Sequence, residues 1–220
     1  MNKLKAIIFD MDGVLTDTVP IHFRAWRKMF TEEGYDFNFE IYKKKVDGKP
    51  RLNGISAVAS DVSQEKLLQM ADKKQNYFLQ LIEEEPPSVF EDALRLLKRL
   101  EKEAIKIAVA SSSKNTERIL KNIHIYDRFQ TVVTGNDFKK GKPDPEIFLL
   151  AAERLGVDPR SCMVIEDAIE GVNAGINAGM TTVGIARHGN EEELKHAHII
   201  INTLDCISIQ QIGRFLKERG

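Results

Sequence analysis

Ala6-Ile7-Ile8-Phe9-Asp10-Met11-Asp12-Gly13 is the stretch from which the rest of the chain is read. Four apolar residues run into two acids with one residue between them, then a glycine. The run is too short for a helix and has no polar alternation. It therefore predicts a strand buried on both faces, as in a parallel sheet. The acids stand where the chain leaves that strand, and in an open α/β sheet ligands collect at the carboxyl ends of strands. Two adjacent carboxylates repel unless a proton or cation intervenes, and one can attack a phosphorus or carbon centre while the other moves a proton. Asp12-Gly13 is also an ordinary turn dipeptide, so the stretch alone leaves both readings open.

Working outward, further short apolar runs lie at 105–110, 131–134, 163–165, 182–186 and 198–201. Helical stripes lie between them. Ser88 and Glu91 read as a capping box ahead of Val89, Ala93, Leu96, Leu97 and Leu100. Asp144-Pro145 reads as the start of a helix whose Ile147, Ala151 and Leu155 share a face and which Gly156 ends. Ala168, Val172 and Ile176 share another face before Gly179, and Ile209, Ile212 and Leu216 line a C-terminal helix. This alternation predicts an α/β protein with a doubly wound, Rossmann-like parallel sheet.

The alternation breaks between residues 16 and 85. Pro20 opens a helix carrying Phe23, Trp26 and Phe30, and Gly34 closes it. Ser63 begins a longer helix with Leu67, Met70, Phe78 and Leu81 among its apolar positions. The stretch reads as an all-helical cap inserted after the first strand, with Glu83-Glu84-Glu85-Pro86-Pro87 as the return linker. The expected division is a core of 1–15 and 86–220 and a cap of 16–85.

Composition excludes several classes. At 220 residues there is room for one large domain or two small ones, and 42% hydrophobic residues are too many for a disordered chain. Lys plus Arg number 32 and Asp plus Glu 33, so no basic field suits nucleic acid. Cys162 and Cys206 form no Cys-x-x-Cys, which excludes a disulfide framework or structural zinc and fits a reducing cytoplasm. No signal-peptide pattern and no apolar stretch of bilayer length is present, so no membrane partner is expected.

Three more strand ends carry polar clusters. Ser111-Ser112-Ser113-Lys114-Asn115 offers hydroxyls, a lysine and helix-start amides, which can hold a phosphate, although taken alone the serines read first as plain helix caps. Lys142 lies in Gly141-Lys142-Pro143-Asp144-Pro145, where the prolines fix its direction. Glu166-Asp167 supplies hard oxygen ligands suited to Mg²⁺, or acids at a helix start. Together these are parts for phosphoryl transfer, where positioning and charge neutralisation do most of the work.

The order Asp10-x-Asp12, Ser111, Lys142, Glu166-Asp167 resembles the four motifs of the haloacid dehalogenase superfamily. The segments Asp12-Gly13-Val14-Leu15-Thr16-Asp17-Thr18, His22-Phe23-Arg24-Ala25-Trp26 and Ala110-Ser111-Ser112-Ser113-Lys114-Asn115 resemble its β-phosphoglucomutase-like subgroup. The resemblance implies that Asp10 is a nucleophile that becomes an aspartyl-phosphate and Asp12 the general acid/base. It implies that Ser111, Ser112 and Lys142 hold the transferring phosphoryl group. Asp10, the Asp12 carbonyl and Asp167 would hold Mg²⁺, with Glu166 as a further ligand or neighbour. Substrate contacts would come from Thr18, His22, Trp26, Gly48, Arg51, Ser113, Lys114 and Asn115. His22 would relay to Asp12, whereas Trp26, at helical spacing with Phe23 and Phe30, reads as cap core ahead of a sugar platform. Arg51 with Ser113, Lys114 and Asn115 would bind the phosphate that is not transferred.

The expected activity is a monomeric, Mg²⁺-dependent mutase converting β-glucose 1-phosphate to glucose 6-phosphate. A sugar-phosphate phosphatase is the alternative, and a non-catalytic binding protein a lesser one. A mutase must hold a bisphosphate in two orientations and needs a second anion site, whereas a phosphatase needs one. Two departures from the subgroup stand out. Asp47 occupies a position where a lysine is usual, with Lys45 and Lys49 as nearby substitutes, and Phe90-Glu91-Asp92 replaces a usual Pro-Gly.

Overall fold

The structure is a computed structural model and describes residues 3–47, 49–187 and 189–208. The expected C-terminal helix of Ile209, Ile212 and Leu216 lies outside the described residues, as do Gly48 and His188.

The chain divides into two compact units, residues 1–17 with 88–220 and residues 18–87. The first holds a six-stranded sheet: β1 (Ala6–Phe9), β2 (Lys106–Ala110), β3 (Thr131–Val133), β4 (Cys162–Glu166), β5 (Thr181–Ile185) and β6 (Ile199–Ile201). The order is β3-β2-β1-β4-β5-β6 with every pair parallel. That order reverses direction at β1, which makes its carboxyl end the topological switch point where ligands bind in such sheets. All residues of β1, β4 and β5 are buried, the physical origin of their unbroken apolar runs.

The second unit, residues 18–87, is helical: α1 (Val19–Glu32), α2 (Phe39–Ile41), a π-helical turn (Tyr42–Val46), α3 (Arg51–Val58) and α4 (Gln64–Glu84). Ser63 caps α4, accepting from the Lys66 amide at 3.2 Å. Trp26, Met29, Phe30, Phe37, Ile55 and Met70 form the centre of its core. Gly54 admits close packing, since a Cβ there would meet Val46 and Trp26 at 3.2–3.3 Å.

Among the described residues, four further α-helices belong to the sheet unit: α5 (Glu91–Leu100), α6 (Thr116–Asn122), α7 (Glu146–Leu155) and α8 (Ile169–Asn177). Ala6 and Ile8 of β1 pack with Ile147, Phe148, Ala151 and Leu155 of α7. Ile7 and Phe9 point the other way, where Phe9 meets the edge of Phe129 at 6.3 Å. Gly156 ends α7 with φ +66°, as its position predicts. Among the described residues no helix is long and apolar enough to cross a membrane.

Three local expectations need correction. The Ser88/Glu91 capping box does not form, because α5 starts at Glu91 after an uncapped Phe90. Ser88 and Val89 are used elsewhere: the Ser88 carbonyl accepts from Thr16 Oγ1 at 2.6 Å and Val89 bridges Thr16 as a short antiparallel pair. Asp144 is not the N-cap of α7; Pro145 is, while Asp144 still accepts from the Glu146 amide at 3.0 Å. Glu83 and Glu84 are not linker, since α4 runs through them and ends at the turn before Pro86.

Candidate active site

Register brings the first acids together. Phe9 pairs with Val109 on β2 and Ile165 on β4, so Asp10 leaves the sheet beside Glu166. The Asp10 amide donates to the Ile165 carbonyl at 2.9 Å, fixing that end of the strand. Lys142 reaches in from the 134–145 loop. Its Nζ donates to Asp10 Oδ1 and, at 2.5 Å, to Glu166 Oε1. The other oxygen of Glu166 accepts from the Ala168 amide at 2.8 Å, so both are engaged. A Cβ on Gly171 would fall 1.7 Å from Glu166 Oε1, so that carboxylate fills space that only glycine leaves.

These charges are nearly dry. The side chains of Asp10, Glu166 and Lys142 are 9%, 2% and 11% exposed. Burial pushes the Asp10 carboxyl up to about 7; Lys142 opposes the shift, and Glu166 and Asp12 add to it. Asp167 is pushed well up by burial and then by Glu166 and Asp10. Burial works against the charge on Lys142, but Asp10 and Glu166 outweigh it and hold its pKa above the usual lysine range. Lys142 thus pairs with two carboxylates, Asp10 and Glu166, while the charges of Asp12 and Asp167 act on the same cluster. Among the described residues no three His, Cys, Asp or Glu side chains gather into a ready ion cage. A site using Asp10, Asp167 and a backbone carbonyl needs only two side chains. The negative surplus and all-oxygen donor set fit a hard divalent cation.

The loop after Asp10 is tightly tied. Leu15 and Thr16 amides both donate to the Met11 carbonyl, and the Gly13 amide donates to the Thr16 carbonyl at 2.9 Å. At the end of β2, Ser111 is buried and its Oγ accepts from the Ser113 amide at 3.2 Å. The Ser113 Oγ accepts from the Asn115 amide, and Thr116 Oγ1 donates to the Ser113 carbonyl at 2.7 Å. Ser112 and Lys114 are exposed, while Ser113 and Asn115 are half-buried. Gly135 lets this loop close on the next one, because a Cβ there would stand 2.2 Å from the Ser112 carbonyl.

The helical unit carries its own polar cluster. Lys74 is 2% exposed, and its Nζ lies 2.9 Å from His22 Nδ1 and over the Phe78 and Trp26 rings. His22 stacks on Phe78 at 4.2 Å. Arg51 is half-buried and donates to the Ala71 carbonyl at 3.1 Å. Burial and then Arg51 push Lys74 down to about 7. Burial, Lys74 and Arg51 together hold His22 well below the ordinary histidine value. Thr18 is buried at the start of α1, its carbonyl accepting from the His22 amide. Trp26 is 4% exposed within the apolar cluster and stacks on Phe30. Asp47 is engaged by Lys43 at 2.5 Å and by the Tyr42 hydroxyl at 3.0 Å, while Lys45 and Lys49 are exposed.

Lys74 is the functional candidate that the sequence reading missed. It stands four residues after Met70 and four before Phe78, on the buried face of α4. A lysine inside an apolar stripe at helical spacing was the available signal.

Comparison with known proteins points the same way. Residues 4–179 match the haloacid dehalogenase-like hydrolase family. A β-phosphoglucomutase of Bacillus subtilis is 36% identical over 213 residues, covering 94% of this chain and 93% of that protein. A phosphorylated carbohydrates phosphatase of Thermotoga maritima is 33% identical over 225 aligned positions, covering 98% and 99%. The crystal structure of a β-phosphoglucomutase from Clostridium difficile superposes with a TM-score of 0.84 at 33% identity, covering 98% of each chain. The chain therefore belongs to the haloacid dehalogenase-like hydrolases, in the β-phosphoglucomutase-like branch of that phosphoryl-transfer family.

Proposed function

We propose that this protein is a Mg²⁺-dependent hexose-phosphate mutase, with β-glucose 1-phosphate to glucose 6-phosphate as the leading reaction. The observation that carries this reading is the pairing of Arg51 with a buried Lys74 beside an uncharged His22 in the helical unit, while the acid cluster around Asp10 belongs to the sheet unit. A mutase needs an anion site for the phosphate that is not being transferred, and a buried lysine beside an arginine is poised for a dianion.

In this reading Asp10 attacks phosphorus and carries the phosphoryl group, and Asp12 gives a proton to the leaving oxygen and takes one from the acceptor hydroxyl. Lys142 and the 111–113 loop hold the phosphoryl oxygens. Asp10, Asp167 and the Asp12 carbonyl would hold Mg²⁺. Bound there, the ion supplies positive charge to the transferring group and offsets the surplus of carboxylates. Glu166, with both oxygens engaged, serves Lys142 rather than the ion. Arg51 and Lys74 take the second phosphate.

A phosphatase acting on sugar phosphates is the second reading. Asp47 favours it, since it stands where the subgroup usually has a lysine and already binds Lys43 and Tyr42. One assay separates the two: β-glucose 1-phosphate with Mg²⁺, with and without a hexose bisphosphate primer, following glucose 6-phosphate and free phosphate. Primer-dependent glucose 6-phosphate in excess of phosphate is expected. Stoichiometric free phosphate without isomerisation would leave the phosphatase.

A further inference from the structure

Arg187 follows β5, and its side chain is 12% exposed. Its fork spans three partners. Nε donates to the Gly13 carbonyl at 2.9 Å, and Nη2 donates to the Val14 carbonyl at 3.0 Å. Nη1 and Nη2 also donate to the two oxygens of Asp92 at 3.0 and 2.9 Å. The guanidinium lies 3.9 Å from the centre of the Phe90 ring. Asp92 is held in turn by Thr203 Oγ1 at 2.9 Å and the Leu204 amide at 2.8 Å. Asp92 belongs to the Phe90-Glu91-Asp92 departure noted in the sequence.

Neither residue belongs to the acid cluster, yet the fork grips the two peptide carbonyls immediately after Asp12. Gly13 is in the left-handed region at φ +74°. Its amide is already bound to Thr16 and the Leu15 amide to Met11, so the guanidinium holds the carbonyls that this turn leaves between them. A buried ion pair is weak evidence for stability, since apolar replacements are often as stable. What the pair supplies here is direction: a planar fork reaches two carbonyls and a carboxylate at once, which an ammonium cannot.

We infer that Arg187, oriented by Asp92, is a positioning residue that fixes the Gly13–Val14 peptides and thereby aims the Asp12 carboxyl at the leaving oxygen. The inference rests on the reading of Asp12 as the general acid.

General-acid help matters most when the leaving oxygen is basic, which gives a readout that simple destabilisation would not move. Formation of the phosphoenzyme is measured in single turnovers with Mg²⁺, from β-glucose 1-phosphate and from acetyl phosphate, whose leaving carboxylate needs no proton. Arg187→Lys should slow the sugar phosphate by roughly tenfold or more and acetyl phosphate by no more than about twofold. Asp12→Asn should show the same selectivity more strongly, and adding Arg187→Lys to it should slow the sugar phosphate no further. Equal slowing of both substrates, or losses that multiply in the double variant, would overturn the inference while leaving Asp12 as the acid. Wild-type rates in Asp12→Asn would overturn both. If Arg187→Lys is not folded by thermal denaturation, Asp92→Asn takes its place, with the same selectivity expected and uniform slowing as the contrary result.

Discussion

Gly13 and Asp167 share one space: a Cβ built on Gly13 would lie 1.8 Å from Asp167 Oδ2. The turn after the first acid pair and the end of β4 are therefore locked together through a missing side chain. Gly13→Ala must shift the Asp167 carboxylate and also place alanine at φ +74°. The backbone cost is about 1–2 kcal/mol, which for a chain of this size lowers Tm by roughly 2–8 °C. Phosphoryl transfer should fall by at least about tenfold, because a displaced carboxylate misplaces what it holds. Thermal denaturation and turnover on one sample check both, and unchanged turnover would remove Asp167 from the reacting groups.

Asp10 is pushed up to about 7 in the folded chain, against an ordinary value of about 3.9. Stability from the protonated form is complete below about pH 4 and is lost as pH rises toward 7. Metal-free wild type should therefore lose Tm relative to Asp10→Asn across that window. Mg²⁺ should raise Tm of the wild type near pH 7 and raise that of Asp10→Asn much less. Turnover in the variant should fall by orders of magnitude, as the proposed nucleophilic role of Asp10 requires. Parallel Tm curves for the two proteins would refute the buried-acid account.

Arg51→Ala tests the second anion site. Loss of a desolvated contact to a dianion costs roughly 2–4 kcal/mol, or about 30- to 1000-fold. The mutase reaction should fall by that factor. Hydrolysis of acetyl phosphate, which has no second phosphate, should change little. Equal losses in both would return Arg51 to a structural role, and no loss in either would favour the phosphatase.

Lys74, at about 7, is far below an ordinary lysine near 10.4. The unfolded chain binds this proton more tightly, so the residue increasingly opposes folding as pH falls from about 10 to 7. Lys74→Met should raise Tm at pH 7 and converge on wild type above about pH 10. The same variant should raise KM for β-glucose 1-phosphate. A stability gain with unaltered KM would make Lys74 a structural residue only.

The strands were readable because parallel strands covered on both faces become continuous apolar runs, as 6–9 and 163–165 are. Asp10 and Glu166 were readable because each ends such a run. Lys74 was hidden for a different reason: its stripe on α4 was read through its apolar members, and a lysine among them passed as an interruption. The Ser88/Glu91 pattern failed because pairing of Thr16 with Val89 competes for the same backbone. Arg187 had no local signature at all, since its partners stand 174 and 95 residues away. The short helix Arg51–Val58 escaped too, with Gly54 at its middle where propensity argues against a helix.

The Asp17 amide and the Ser88 carbonyl are hydrogen-bonded at 3.3 Å, next to the Thr16–Val89 bridge. The polypeptide thus departs from the sheet unit and rejoins it at almost one point, through a neck two residues wide. Closure entropy grows only with the logarithm of the excursion's length, by about 0.6 kcal/mol per doubling. Whatever is spliced in at that neck, seventy residues or seven, the sheet feels nearly the same mechanical boundary. A whole helical unit can then be exchanged as a cassette at two adjacent peptides, while the acids and serines on the strand ends keep their register.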